Sequence, residues 1–223
     1  MPVLLPSLYK TILISNMGFN IEEKYVLRAL RISKVRRYNE IENTQLKKDL
    51  NSATQRAYSL IQGRGIYKTL KIGHIDNNKI WFAEISTALK SSTLSRVLSN
   101  SSYASILVAT IDSKLEEEVD RLIKKSASIG YLLDCIGGWM ADYMAGKVDA
   151  FIQAEASKIG LKRTMRYSPG YGDFGLEHQT LLLEIAQAYR IGVSLTEGHM
   201  LIPQKSVSAI IGLEEFSANQ KNV

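Results

Sequence analysis

The segment 166–175, Arg-Tyr-Ser-Pro-Gly-Tyr-Gly-Asp-Phe-Gly, gathers residue types that ligand sites use. Arg166 offers a planar fork that can hold a carboxylate through two parallel hydrogen bonds. Gly170 and Gly172 allow backbone N–H groups to come close to a ligand. Tyr167 and Tyr171 offer flat apolar faces with a polar tip. Asp173 could balance a cationic group. Together they suit a small zwitterion with an aromatic or charged part. They equally suit a structural loop in which Arg166 pairs with a surface acid, and residue types alone leave both readings open.

Other chemistry is scarce. The sequence has no G-x-S-x-G, no P-loop, no H-E-x-x-H and no kinase motif set. Gly170-x-Gly172-x-x-Gly175 has the spacing of a dinucleotide fingerprint, but it follows no apolar strand, which argues against a dinucleotide fold. Cys135 is the single cysteine, so an intramolecular disulfide and a four-cysteine zinc site are excluded. Its place on an apolar helix face predicts an inert core thiol. The histidines, His74, His178 and His199, share no ligand-type spacing, and no protein-built metal site is expected. His178 reads first as a solvated helix residue and His199 as half-buried structure. No residue is nominated as catalytic.

The elements that must position the 166–175 loop are legible in the pattern of apolar residues. Ile12-Leu13-Ile14 predicts a short strand. Asn20 with Glu23 resembles a capping box opening a helix through Val26, Leu27 and Leu30. A second helix is expected near 44–62, ended by Gly63-Arg64-Gly65. Residues 66–72 and 79–82 predict two strands around a turn at His74–Asn78. A short helix near 92–99 precedes a doubly buried strand at 103–111. Asp112 looks like the cap of a helix with Leu115, Val119, Leu122 and Ile123 inward. Residues 127–159 predict a long helix whose apolar face runs Leu132, Cys135/Ile136, Trp139/Met140, Tyr143/Met144, Val148 and Phe151. Gly137-Gly138 inside it predicts a close crossing or a bend. Residues 163–175 are expected as loop, 176–190 as a helix closed by Gly192, and 193–195, 199–202 and 206–212 as strands before a polar tail. Helices and strands mix without regular βαβ alternation. The expected class is α+β, a mostly antiparallel twisted sheet with packed helices, formed by residues 1–223 as a single domain.

The chain has 223 residues, 45% hydrophobic and 22% charged, which supports a full core and argues against disorder. Net charge is +6. The densest basic stretch, Lys34, Arg36, Arg37, Lys47 and Lys48, is interleaved with Glu40, Glu42 and Asp49. It reads as a solvated surface more than a nucleic-acid patch. No apolar run is long enough to span a membrane. Prolines at 2 and 6 and the lack of a basic n-region argue against a signal peptide, and the expected compartment is the cytoplasm.

Two motifs taken together are more specific. Arg166-x-x-Pro169-Gly170-Tyr171, a helix, then Leu195-Thr196-Glu197 and Pro203-x-x-Ser206-Val207-Ser208 resemble the C-terminal activation (reactivation) domain of cobalamin-dependent methionine synthase. The long helix before the loop is similar too. The resemblance is strongest over 160–213. It implies the fold of that domain and S-adenosylmethionine binding by Arg166, Ser168, Pro169, Gly170 and Tyr171. Arg166 would hold the methionine carboxylate. Tyr167, Asp173 and His178 become candidate contacts to a corrinoid or partner. Glu197, Ser206 and Ser208 of the second motif would mainly support the loop. The implied role is a free-standing reactivation subunit in trans. Cobalamin would be carried by a methionine synthase or other corrinoid methyltransferase, and a flavodoxin-like donor would reduce its cobalt. The methyl group of S-adenosylmethionine would then pass to that cobalt, so the cofactors carry the hard chemistry and methyltransferase activity would need the partner. An alternative is a docking module for a corrinoid protein that does not use S-adenosylmethionine. The 223 residues hold none of the family's folate, homocysteine and cobalamin modules, and a free-standing form is the expectation. Gly160 also stands where the family has an acid six residues before the arginine.

Overall fold

The computed structural model describes residues 12–15 (backbone only), 22–32 and 34–215. At its centre is β5 (Tyr103–Thr110), whose continuous apolar run is buried on both faces, as a doubly covered strand requires. β2 (Arg64–Asp76) pairs with one edge of β5, from Arg64 opposite Thr110 to Lys71 opposite Tyr103. β9 (Ser206–Glu215) pairs with the other, from Ser206 opposite Thr110 to Leu213 opposite Tyr103. With β3 (Lys79–Phe82), β4 (Leu89–Lys90) and β6 (Leu161–Arg163), the strand order is β4-β3-β2-β5-β9-β6. β1 (Ile12–Ser15) completes the sheet by pairing with the first half of β2, Ile12 opposite Tyr67. Every pairing is antiparallel. The α+β class with an antiparallel sheet is as expected.

Strand alternation sends side chains to two helical layers. Leu107 and Ala109 of β5 and Ala209, Ile211 and Leu213 of β9 share a core with α1 (Glu23–Ala29), α2 (Thr44–Leu60), α4 (Lys114–Ile123) and α5 (Ala127–Ser157). Ile106, Val108 and Ile210 point the other way. They meet α3 (Ser92–Val97), α6 (His178–Ala186) and Phe174 of the candidate loop. The candidate site therefore belongs to the thinner helical layer.

α5 is the long helix expected, and it lies close on the sheet. A Cβ on Gly65 would sit 2.3 Å from Val148 Cγ2. Gly65 is thus the position where helix and strand touch, and it belongs to β2 rather than to the end of α2, which stops at Leu60. Gly137 fits the close-crossing reading: a Cβ there would meet Leu115 Cδ2 of α4 at 2.6 Å. Gly138 faces open space.

Several local expectations are corrected. The Asn20 cap lies outside the described residues. α1 opens at Glu23 with Glu22 at the cap position, and the Glu23 carboxylate accepts from the Tyr38 backbone N–H at 2.6 Å instead. α4 is entered through Ser113, because Asp112 adopts φ +73° and pairs with Arg64 at 2.7 Å. Ile123, the last residue of α4, is exposed, and Phe151 is exposed because α5 turns Ala141, Ala145 and Ile152 inward instead. Cys135 is half-buried, not core. β2 runs through His74 to Asp76, so the turn is only Asn77-Asn78. α6 stops at Ala186, where Gln187 turns left-handed, and a short 3-10 turn leads to Gly192 at φ +75°. Among the described residues no helix is long and apolar enough to cross a membrane.

Candidate functional site

The segment before the loop is an irregular edge strand. Arg163 of β6 pairs with Leu213, and Tyr167 pairs with Ile210. Three residues lie between Arg163 and Tyr167, but only Ile211 and Gly212 lie opposite, so the edge carries a one-residue bulge. A bulge re-aims side chains, and here it falls on Thr164–Arg166. Gly212 is required opposite it: a Cβ there would meet Ser101 Oγ at 2.2 Å and Thr164 Cγ2 at 3.0 Å. Two backbone bonds then anchor Tyr167 to Ile210, at 2.9 and 2.8 Å.

The loop closes on itself beyond this anchor. Gly170, at φ +93°, donates its N–H to Phe174 O at 2.6 Å. Tyr167 Oη donates to Tyr171 O at 3.0 Å, and Gly172 at φ +56° leaves room for that hydroxyl. Phe174 is fully buried and stacks on Tyr167 and His178. Asp173 accepts from Ser91 Oγ, Ser92 N, Ser92 Oγ and Thr93 N, all within 3.2 Å. These hydroxyl and amide donors at the start of α3 hold its carboxyl well below the usual carboxylate range.

The second motif meets the first across β9. Ser206 and Ser208 project to the loop side of the sheet. Ser206 Oγ donates to Thr110 Oγ1 at 2.9 Å, and Ser208 Oγ donates to Gln179 Oε1 at 2.7 Å. Gln179 Nε2 in turn donates to His199 O at 2.8 Å. That carbonyl belongs to the hairpin of β7 (Ser194–Leu195) and β8 (Leu201–Ile202). A groove of about 500 Å³ results, lined by residues 165–169 and 171 on one side and by Gln179, Leu201 and 206–208 on the other, with Asp142 of α5 at its edge. Its size is that of a small-molecule site, roughly 300–1,000 Å³.

One cation and one anion line this groove, and they are paired. Arg166 Nη2 lies 2.6 Å from Asp142 Oδ1. Arg166 Nη1 is buried without a hydrogen-bond partner. Asp149, two helical turns beyond Asp142, is buried beside Arg163 at 2.9 Å. Burial pushes its carboxyl up against the opposing pull of Arg163 and Arg166.

The crystal structure of the MetH reactivation domain bound to AdoHcy superimposes with a TM-score of 0.69, covering 94% of this chain and 80% of that one, at 13% identity. The chain shares the MetH reactivation domain fold. Searches of protein-family models and of curated proteins find no match.

In this reactivation-domain fold the structure brings together most of the residues singled out from sequence. Arg166, Tyr167, Ser168, Pro169, Tyr171, Ser206 and Ser208 line one groove, and Gly170 forms the turn beneath Tyr171. Tyr171 is 66% exposed at its mouth. Asp173 and His178 lie elsewhere: Asp173 caps α3, and His178 Nε2 bonds Lys90 O at 3.1 Å. Glu197 is exposed in the hairpin turn, away from the lining. Sequence reasoning missed Asp142 and Gln179. Gln179 could have been found: it stands three, four and seven residues before Leu182, Leu183 and Ala186, a polar group on the buried stripe of α6.

Proposed function

We propose that this chain binds S-adenosylmethionine in the groove between the 165–171 segment and β9. There it would act as a reactivation subunit for a cobalamin-dependent methionine synthase or related corrinoid methyltransferase, in trans. One observation carries the reading. Two sequence motifs 40 residues apart, Arg166–Tyr171 and Ser206–Ser208, line one small-molecule-sized groove, in a fold shared with a reactivation domain solved with AdoHcy. The residues present fit such a ligand. Arg166 lines the groove with its Nη2 on the exposed Asp142 carboxylate, a place a ligand carboxylate can take, and Tyr171 presents an open aromatic face.

The bound sulfonium would supply the methyl group. The acceptor would be a cobalamin held by the partner and kept reduced by a one-electron donor of the flavodoxin kind. This chain's own contribution is binding and orientation. Arg166 fixes the amino-acid end, the Tyr167–Ile210 anchor sets the depth of the loop, and Ser206 and Ser208 hold the opposite wall through Thr110 and Gln179. Such positioning can contribute about 7–11 kcal/mol at best to a bimolecular step. The residues 1–223 are read as one domain, working in the cytoplasm.

The pairing of Arg166 with Asp142 supports a second reading, a module that docks to a corrinoid protein without using S-adenosylmethionine. One experiment separates them. A corrinoid methyltransferase stripped of its own reactivation module is held in the cob(II)alamin state with reductant and methyl-labelled S-adenosylmethionine. Addition of this chain transfers label to the corrinoid under the first reading. Under the second the chain co-elutes with the partner and no label moves.

A further inference from the structure

We propose that Asp142 is the acidic half of a two-sided binding site: it holds Arg166 in the free protein and takes the ligand's ammonium once a carboxylate replaces it on Arg166. The inference rests on the groove being an S-adenosylmethionine site, and adds which part of the ligand this chain selects and by which residue.

Among the described residues lining the groove, Arg166 is the one cation and Asp142 the one anion. Their charges cancel at 2.6 Å. A simple anion meets no net positive charge there, and a simple cation no net negative charge. An α-amino acid end carries both signs within one short span. It breaks one ion pair and forms two, each with charge-assisted hydrogen bonds. The existing pair is easily opened, because the Asp142 side chain is 67% exposed and water competes for it. Arg166 is different. Its side chain is 25% exposed, its Nη1 is buried, and Asp149 lies close enough to interact with its charge. Arg166 is therefore the fixed member and Asp142 the one free to swing. Asp142 sits on α5, a rigid 31-residue helix, so its reach is set by its own rotamers rather than by loop motion.

The test titrates S-adenosylhomocysteine, and its analogue lacking only the α-amino group, into wild type, Asp142→Asn and Arg166→Ala. Each variant is first checked for unchanged circular dichroism. Asp142→Asn is expected to weaken S-adenosylhomocysteine by roughly tenfold or more. The des-amino analogue should bind Asp142→Asn at least as tightly as wild type, since it has no ammonium for Asp142 to take and the substitution frees Arg166 for its carboxylate. If Asp142→Asn leaves S-adenosylhomocysteine unchanged, or tightens it by freeing Arg166, Asp142 is not an ammonium acceptor and the proposal is overturned. If wild type fails to bind S-adenosylhomocysteine, or Arg166→Ala binds as well as wild type, the reading of the groove itself is overturned.

Discussion

The carboxylate of Asp173 accepts four hydrogen bonds from Ser91, which caps α3, and from Ser92 and Thr93, its first two residues. Its position in a glycine- and tyrosine-rich loop suggests a ligand contact, yet its geometry ties the loop to the scaffold. The folded carboxyl titrates far below its ordinary value near 3.8, so its contribution to stability is full above about pH 4 and is lost as pH falls toward the folded value. Asp173→Asn should therefore melt below wild type at pH 7, with the gap closing as the melt is repeated at progressively lower pH. A gap that stays constant down to pH 2 would mean the charge of Asp173 does not matter. Arg166 and Tyr171 were recognisable from their types and spacing, because carboxylate forks and exposed aromatics are local chemistry. Asp142 was not, because the contact spans 24 residues and depends on where α5 lies.

At the scale of elements, the site depends on how closely α5 and α6 hold the sheet. Gly65→Ala places a methyl against Val148 Cγ2, a stiff β-branched side chain in the helix, and should cost about 1–3 kcal/mol in urea unfolding. Gln179→Ala leaves the Ser208 hydroxyl and the His199 carbonyl without their shared partner and should cost a similar ~1–3 kcal/mol. It should also loosen the β7–β8 hairpin, read as faster amide exchange over residues 194–202. β5 and α5 were legible in sequence because both are long and strongly patterned. The edge bulge at 164–166 was not. A strand made of one bridge and a few bonds has no period of its own and exists only because β9 lies beside it. The helix expected over 176–190 was too long because nothing in its apolar pattern marks the left-handed Gln187.

At the scale of the molecule, the groove opens beside exposed apolar residues: Met165 and Tyr171 on one side, Met200 and Ile202 on the hairpin. Scattered apolar residues need no explanation, but a set of them around a polar groove suits contact with a large flat partner. Met200→Asp should leave S-adenosylmethionine affinity unchanged, since Met200 is outside the lining, while lowering label transfer to a corrinoid partner several-fold. Equal transfer by the variant would remove the hairpin from the docking surface. The α+β class followed from sequence, as did the pairing of the two motifs now proposed to share one groove. The arrangement of two unequal helical layers, which leaves the site on the thinner one, came only with the topology.

Whether the groove is an S-adenosylmethionine site is decided by isothermal titration of that ligand into the wild-type chain and into Arg166→Ala. Saturable binding to wild type, weakened roughly tenfold or more by the substitution, is the predicted result. No heat with wild type at millimolar ligand, or equal affinity in the two proteins, would contradict it.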